Sequence, residues 1–215
     1  MIIAVIPIFN EEKTIGEVIE KTRKHVDKII VVDDGSEDKS CEIATKRKAL
    51  VLRNIVNVGK GFSLLMGCEK AAKEADIIVT LDGDGQHDPL EIKKLIKNLK
   101  DCDIVFGSRK MEISAPFIKK IGNYVINFFS RVLFSVDIHD TQSGFKAFKS
   151  SAFNKLKWEA CGYEVESEIL MKVSKNKLKY KEVFIKNIYK DKFKGTTLFD
   201  GIKIVSNMIY WRVFR

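Results

Sequence analysis

The stretch VTLDGDGQHDPLEI, residues 79–92, sets Asp82, Asp84 and Asp88 among two glycines, directly after an apolar run of Ile77, Ile78, Val79 and Leu81 that only Thr80 interrupts. Carboxylates clustered at the end of such a run are tolerated when they are solvated, when they cap a helix, or when they hold a cation. Asp82 and Asp84 can turn toward the same side of the strand end, and Gln86 could add a neutral oxygen. Hard oxygen ligands of this kind suit Mg²⁺ or Mn²⁺, with the remaining positions filled by phosphate oxygens and water. Gly83 and Gly85 are expected to let a diphosphate approach the backbone.

Other readings of these loops fail on spacing. Taken as an EF-hand from Asp82, the loop puts His87 at the glycine and Lys93 at the bidentate glutamate, so two required positions are wrong. GKGFSL supplies Gly59 and Gly61 but Leu64 for the third glycine of the dinucleotide fingerprint, and no GxxxxGK[ST] loop occurs. Cys41, Cys68, Cys102 and Cys161 lie far apart with no CxxC or Cys/His cluster, which argues against a zinc site or disulfide framework and suits a reducing cytoplasm. His25 reads as structural at the end of the first helix, His87 as a neighbour of the cation loop, and His139 as a partner of Asp140.

Strands and helices must bring these residues together. IIAVIPI, KIIVVDD, ALVLRN, DIIVTLD and DIVFGSR read as short strands separated by helix-length amphipathic pieces, which predicts an α/β fold with a mainly parallel central sheet flanked by helices. Helix starts are expected at Asn10, Ser36 and Asp88, the last with Pro89 in its first turn. Each strand runs into a polar loop: FNEE, DDGSED, NVGKGFS, DGDGQH and GSRK. Ligands of open α/β sheets bind outside the carboxyl ends of the strands, so a phosphate-bearing ligand is expected there. The composition, 45% hydrophobic and 31% charged over 215 residues, suits a single domain spanning 1–215.

In the same order, IPIFNEEKTI, VVDDGSEDKS, NVGKGFSLLMG, DGDGQHDP, FGSR and DTQSGFKAF resemble the motifs of family 2 nucleotide-sugar glycosyltransferases of the GT-A fold. The similarity is strongest to the polyprenyl-phosphate branch, the dolichyl-phosphate mannose or glucose synthase-like enzymes, and it covers essentially the whole chain. It implies that Pro7, Phe9, Glu11, Asp33 and Asp34 line a nucleoside pocket and that Lys60 and Lys192 contact the donor. It further implies that Asp82, Asp84 and Gln86 hold a metal bridging the donor diphosphate, and that Arg109 faces the acceptor phosphate or the leaving group. YKDKFKGTT is similar to the family's R-x-x-G-x-S-K segment, with Lys192 and Thr197 where arginine and lysine are usual. Inversion at the anomeric carbon by a single displacement also follows from the resemblance.

The costly event in glycosyl transfer is departure of an anionic leaving group from an oxocarbenium-like centre. A divalent cation stabilises that charge without moving a proton. A lipid-phosphate acceptor is ionised at neutral pH and needs no strong base. A saccharide or lipid-linked glycan needs a carboxylate to take its hydroxyl proton, for which Asp140 in HDTQSGF is the candidate, the alternative being an orienting hydrogen bond or salt bridge. A nucleotidyltransferase and a non-catalytic sugar-nucleotide or membrane-binding module remain as other classes.

The net charge of +9 and pI near 9.2 favour anionic partners. The basic residues are spread along the chain without an RNA-binding or helix-turn-helix signature, which argues against nucleic acid. Between Pro116 and Val136, the residues Ile118, Ile121, Val125, Phe128, Phe129, Val132 and Val136 recur at helical spacing, and Phe117, Tyr124, Ile126, Leu133 and Phe134 widen the stripe. LFDGIKIVSNMIYWRVFR sets Tyr210, Trp211 and Phe214 beside Arg212 and Arg215. Core packing and a helix lying in the bilayer interface both account for such segments. The resemblance favours interface helices near 116–136 and 198–214 that reach a polyprenyl (dolichyl) phosphate. MIIAVIPIFNEE has no basic leader and no stretch reaches the length of a span, so the expected location is the cytoplasm, peripheral at the cytoplasmic membrane face.

Overall fold

Isoleucine and valine fill the first strand, β1 (Ile2–Ile8), and divide between two apolar layers: Ile3 and Val5 enter one, Ala4, Ile6 and Ile8 the other. A strand buried on both faces needs helices on both sides of its sheet. The computed structural model describes residues 1–109, 117–186, 188 and 198–214, with backbone alone for 117–121 and 198–199. After β1 the elements are α1 (Ile15–Thr22), β2 (Lys28–Asp33), α2 (Ser40–Lys46), β3 (Leu50–Arg53), α3 (Lys60–Ala71), β4 (Ile77–Thr80) and α4 (Ile92–Asn98). Then follow β5 (Ile104–Arg109), α5 (Phe117–Phe134), β6 (Lys146–Lys149), α6 (Phe153–Leu156), α7 (Val165–Lys175), β7 (Tyr180–Ile185) and α8 (Leu198–Phe214).

The sheet is 7-stranded in the order β3-β2-β1-β4-β6-β5-β7. Only β6 runs against its neighbours, pairing antiparallel with both β4 and β5. Helices α1, α2 and α4 cover one face through Ile15, Ile19, Ala44, Ile92 and Leu95. Helices α3, α5, α6, α7 and α8 cover the other through residues such as Leu64, Ile126, Phe153, Ile169 and Met208. The five expected strands are all present, and the chain adds β6 and β7. β6 matters for function because an antiparallel strand begins where its neighbours end, so the turn that precedes it, residues 139–145, lies at the carboxyl edge of β4 and β5.

Two of the three expected helix starts are corrected. Helices α1 and α2 begin at Ile15 and Ser40, after loops in which Asn10 and Ser36 have other duties. Asn10 takes φ 55°, which asparagine tolerates, its N donates to Ser36 Oγ (2.9 Å), and its Oδ1 accepts from Glu37 N (2.9 Å). The two residues therefore lace the loops after β1 and β2 to each other. Asp88 does cap, accepting from Leu90 N at 3.1 Å ahead of the short 3-10 turn Pro89–Glu91 that leads into α4.

In α5 the inward face is Ile126, Ser130 and Phe134, while Tyr124, Phe128 and Val132 are exposed. The stripe expected from spacing thus mixed both faces, because an all-round apolar helix offers no single periodic solution. In α8, Ile204, Met208 and Trp211 pack inward, so Trp211 belongs to the core and not to an outer face, whereas Tyr210 and Phe214 are exposed with ring centroids 5.0 Å apart. No helix among the described residues is long and apolar enough to cross a membrane.

Candidate active site

The parallel order reverses between β1, which continues through β2 to β3, and β4, which continues toward β7. Loops at such a switch point diverge and leave a crevice. Asp82 and Asp84 follow β4 into that crevice, and Glu11 follows β1. Burial first, then the charges of Asp82 and Glu11, push the Asp84 carboxyl up to about 6, although Gln86 N donates to its Oδ1 at 2.9 Å. Burial also opposes the charge of Asp82, but Lys60, His87 and Lys146 outweigh it and hold that carboxyl well below the usual range. Lys60 Nζ sits 2.7 Å from Asp82 Oδ1 and 3.1 Å from Glu166 Oε1. Glu166 in turn pairs with the buried Lys146, whose Nζ donates to Ser143 O at 2.5 Å. The result is a line of alternating charge from β4 through α3 to α7 and β6.

His87 is buried against Phe145, and its Nδ1 accepts from Asp82 N at 3.2 Å. Burial, opposed by Asp82, lowers it to about 4, so it is a neutral imidazole that shapes the loop. Burial likewise lowers His25.

A divalent cation fits this donor set in part. Among the described residues no group of three or more His, Cys, Asp or Glu could hold a metal; Asp82 and Asp84 offer two carboxylates at the end of β4. Burial, joined by the charges of Asp82 and Glu11, raises Asp84, and a cation beside it would favour its ionised form. A hard ion held by two carboxylates is completed by ligand oxygens and water. Gln86 contributes its backbone here: its N bonds Asp84, and its carbonyl accepts from Ile188 N at 2.8 Å.

The glycines serve the protein's own packing more than was expected. A Cβ on Gly83 would lie 2.5 Å from Ile8 Cγ2, so that position is closed by β1. Gly59, at φ 104°, would bring a Cβ to 2.4 Å from Cys161 O, and that same carbonyl accepts from Gly61 N and Phe62 N at 2.6 and 3.2 Å. The first amides of α3 are thereby satisfied by the chain itself and not left for a phosphate.

Beyond β2, Asp33 and Asp34 differ from the expected pocket lining. Asp33 is fully buried, accepting from Ser36 N at 3.1 Å with Arg53 Nε 3.1 Å away. Asp34 accepts from Asn54 Nδ2, Val58 N and Gly59 N at 2.8, 3.1 and 2.9 Å. Asp34 fixes the loop after β3, and Asp33 ties the loop after β2 to the end of β3. That loop and Phe9 border a cleft of about 570 Å³ lined also by Gly35, Ser36, Arg53, Ile55 and Val56. Ile55 is 99% exposed and Phe9 43%, and the polar side of the cleft carries Glu37, Asp38 and Asn57. Ile55 and Val56 escaped the sequence reading, although an apolar pair between Asn54 and Asn57 was a legible signal. Pro7 is buried within β1.

Arg109, at the end of β5, is gripped by Asp140: Nε lies 2.6 Å and the backbone N 3.2 Å from Oδ2, and Nη2 lies 3.1 Å from Oδ1. Burial opposes the charge of Asp140, and the Arg109 charge and hydrogen bonds outweigh it, lowering the carboxyl below its ordinary value. His139 pairs with Glu182, Nδ1 to Oε2 at 2.7 Å, instead of with Asp140. Lys192 lies outside the described residues.

The glycosyl transferase family 2 profile matches residues 3–157. An uncharacterized protein of Methanocaldococcus jannaschii is 39% identical over 99% of this chain and 93% of its own length. The UDP-N-acetylglucosamine–dolichyl-phosphate N-acetylglucosaminyltransferase of Methanococcus voltae is 35% identical over 97% of this chain and 95% of its own. Among solved structures, glucosyl-3-phosphoglycerate synthase from Mycobacterium tuberculosis with Mg²⁺ and uridine diphosphate superposes with a TM-score of 0.79 at 21% identity, covering 100% of this chain and 80% of that one. The fold they share is GT-A.

Proposed function

The chain belongs to glycosyl transferase family 2 and is a glycosyltransferase, and on that premise we propose that it moves a sugar from a nucleoside-diphosphate sugar to a polyprenyl (dolichyl) phosphate with a divalent cation, Mg²⁺ or Mn²⁺. The observation that carries the reading is the placement of Asp82 and Asp84 directly after β4 at the switch point of the sheet, with Lys60 Nζ 2.7 Å from Asp82 Oδ1. The bound cation would supply electrostatic stabilisation of the departing diphosphate.

Asp82 and Asp84 would hold it, with Lys60 beside them as an ammonium for the diphosphate. Phe9, Ile55 and Val56 offer the base its shelf, and Glu11 sits at the crevice edge. Arg109 meets the anionic acceptor or leaving group, with Asp140 fixing the direction of its guanidinium. The ion pair also weakens the alternative acceptor class, since a carboxylate held below its ordinary pKa by an arginine is a poor base for a sugar hydroxyl. The acceptor's lipid is accounted for by α5 and α8, whose exposed Tyr124, Phe128, Tyr210 and Phe214 suit contact with a bilayer surface.

Purified protein with Mn²⁺ or Mg²⁺, a short polyprenyl phosphate and a panel of UDP- and GDP-sugars provides the test, with Asp84→Ala as control. A metal-dependent polyprenyl-phosphate sugar seen by mass spectrometry and lost in the control supports the reading. Donor turnover without glycolipid moves the acceptor to another class, and no donor binding at all overturns it.

A further inference from the structure

The turn that carries Asp140 is held by side chains of two other elements, Asn127 of α5 and Glu182 of β7. Asn127, on the flank of α5, donates from Nδ2 to His139 O at 2.5 Å, and its Oδ1 accepts from Thr141 Oγ1 at 2.7 Å and from Thr141 N at 3.3 Å. A carboxamide has donors at one end and an acceptor at the other, and here each end binds the residue on one side of Asp140. From the opposite side, Glu182 of β7 accepts His139 N at 2.6 Å and also the Ser108 hydroxyl. Asp140 is thus set between two brackets while both of its own oxygens are committed to Arg109.

We infer that Asn127 is a positioning residue for the transfer, fixing Arg109 through the 139–141 turn and the Asp140 carboxylate. The inference rests on the proposed role of Arg109 at the acceptor or leaving-group phosphate. A guanidinium has many rotamers, and its reach is set by what holds its Nε edge. Asp140 holds that edge, but a carboxylate on a loose turn would move with its arginine. The Asn127 bonds remove that freedom by tying the turn to a helix. α5 also carries exposed Tyr124 and Phe128 on its outer side, so the element proposed to meet the lipid is the one that sets the arginine.

The test measures Asn127→Ala, Asn127→Asp, Arg109→Ala and the Asn127→Ala/Arg109→Ala double variant, each in the full chain, using short polyprenyl phosphate and whichever panel donor turns over. Asn127→Ala is expected to lower kcat on the order of tenfold to a hundredfold. Calorimetric affinity for UDP and GDP should stay within about twofold, because nothing in the base cleft is touched. Asn127→Asp keeps an acceptor for Thr141 but has no donor for His139 O, and should fall between the alanine variant and the parent. The double variant should be no slower than Arg109→Ala alone, since a residue acting only through Arg109 has nothing left to position. An impaired Arg109→Ala with an undiminished Asn127→Ala overturns the inference by itself, as do losses that multiply in the double variant. An undiminished Arg109→Ala, or a panel with no turnover, overturns the reading of the site and the inference with it.

Discussion

Lys60 Nζ lies 2.7 Å from Asp82 Oδ1 and 3.1 Å from Glu166 Oε1, so a carboxylate proposed as a cation ligand is paired with an ammonium. Burial of Lys60 works to lower its pKa, but Asp82 and Glu166 raise it well above the ordinary lysine range, and it stays charged at any working pH. A metal ion approaching Asp82 must compete with that charge. Glu166 gives Lys60 a second partner, so the lysine can yield Asp82 without becoming an unpaired buried cation.

Replacing Lys60 by methionine, which keeps most of the side-chain volume, should therefore strengthen binding of Mn²⁺ in the absence of nucleotide while weakening turnover. Removing a like charge a few ångströms from the ion is expected to tighten binding by at least about tenfold. Electron paramagnetic resonance of free Mn²⁺ reads this directly. Unchanged Mn²⁺ affinity in Lys60→Met would show that the lysine does not guard the carboxylate.

Asp84 links function to stability. Its native pKa of about 6 lies above the ordinary 3.8, so between those values the folded protein keeps a proton that the unfolded chain has released. Stability from this group therefore falls as pH rises through that window, and the penalty is complete above about pH 6. Asp84→Asn escapes it. The variant should melt higher than the parent at pH 7.5, by on the order of 1–3 kcal/mol in unfolding free energy, and the gain should vanish toward pH 4. Turnover should fall by on the order of a hundredfold or more, as when a group that stabilises developing charge is removed. Equal melting temperatures at pH 7.5 would contradict the raised pKa.

Gly83 discriminates packing from ligand access. The 2.5 Å approach of its would-be Cβ to Ile8 Cγ2 means that Gly83→Ala must displace the Ile8 side chain or the loop after β4. The expected cost is about 1–3 kcal/mol, seen as a lower denaturant midpoint with nucleotide affinity largely kept in the folded fraction. Unaltered stability with lost nucleotide binding would return the glycine to the diphosphate.

Much of this architecture is legible in the chain because β1, β2 and β4 are short β-branched runs that end in polar loops. β6 is less legible: Lys146 opens it, and a buried lysine reads as a surface residue until Glu166 and Ser143 O are seen to meet it. The DGDG segment is correctly read as a carboxylate pair at a strand end, but its partner Lys60 opens α3, just after a glycine-rich turn that resembles a phosphate cradle. What fills that cradle is the carbonyl of Cys161, a residue a hundred positions downstream with no local signal. Asp33 and Asp34 mislead for a related reason. Paired carboxylates at a strand end announce polar chemistry, and only the coordinates reveal that Asn54, Arg53 and the amides of Val58 and Gly59 consume it. Long-range pairs of this kind carry no periodicity for a sequence pattern to report.

Helices α5 and α8 pack on each other, and both leave large apolar residues outside, Tyr124, Phe128 and Val132 on the first and Ile202, Ile209, Tyr210, Val213 and Phe214 on the second. Exposed aromatic and aliphatic residues on adjoining helices, with Arg131, Lys203 and Arg212 among them, suit the interface of an anionic bilayer. Arg131 and Lys203 are engaged by Asp137 and Glu164, which leaves apolar burial as the larger part of the attraction. The Phe128→Glu/Tyr210→Glu double variant removes one aromatic from each helix. It should lower partitioning onto vesicles of phosphatidylcholine and phosphatidylglycerol by tenfold or more, given on the order of 1–3 kcal/mol for each large side chain buried. Turnover of a detergent-dispersed short-chain acceptor should persist within about twofold while turnover of a long-chain acceptor embedded in vesicles drops, because neither residue lies in the crevice at the switch point. Sedimentation with vesicles measures the first effect and glycolipid formation the second. Undiminished sedimentation of the double variant would exclude these two faces as the contact.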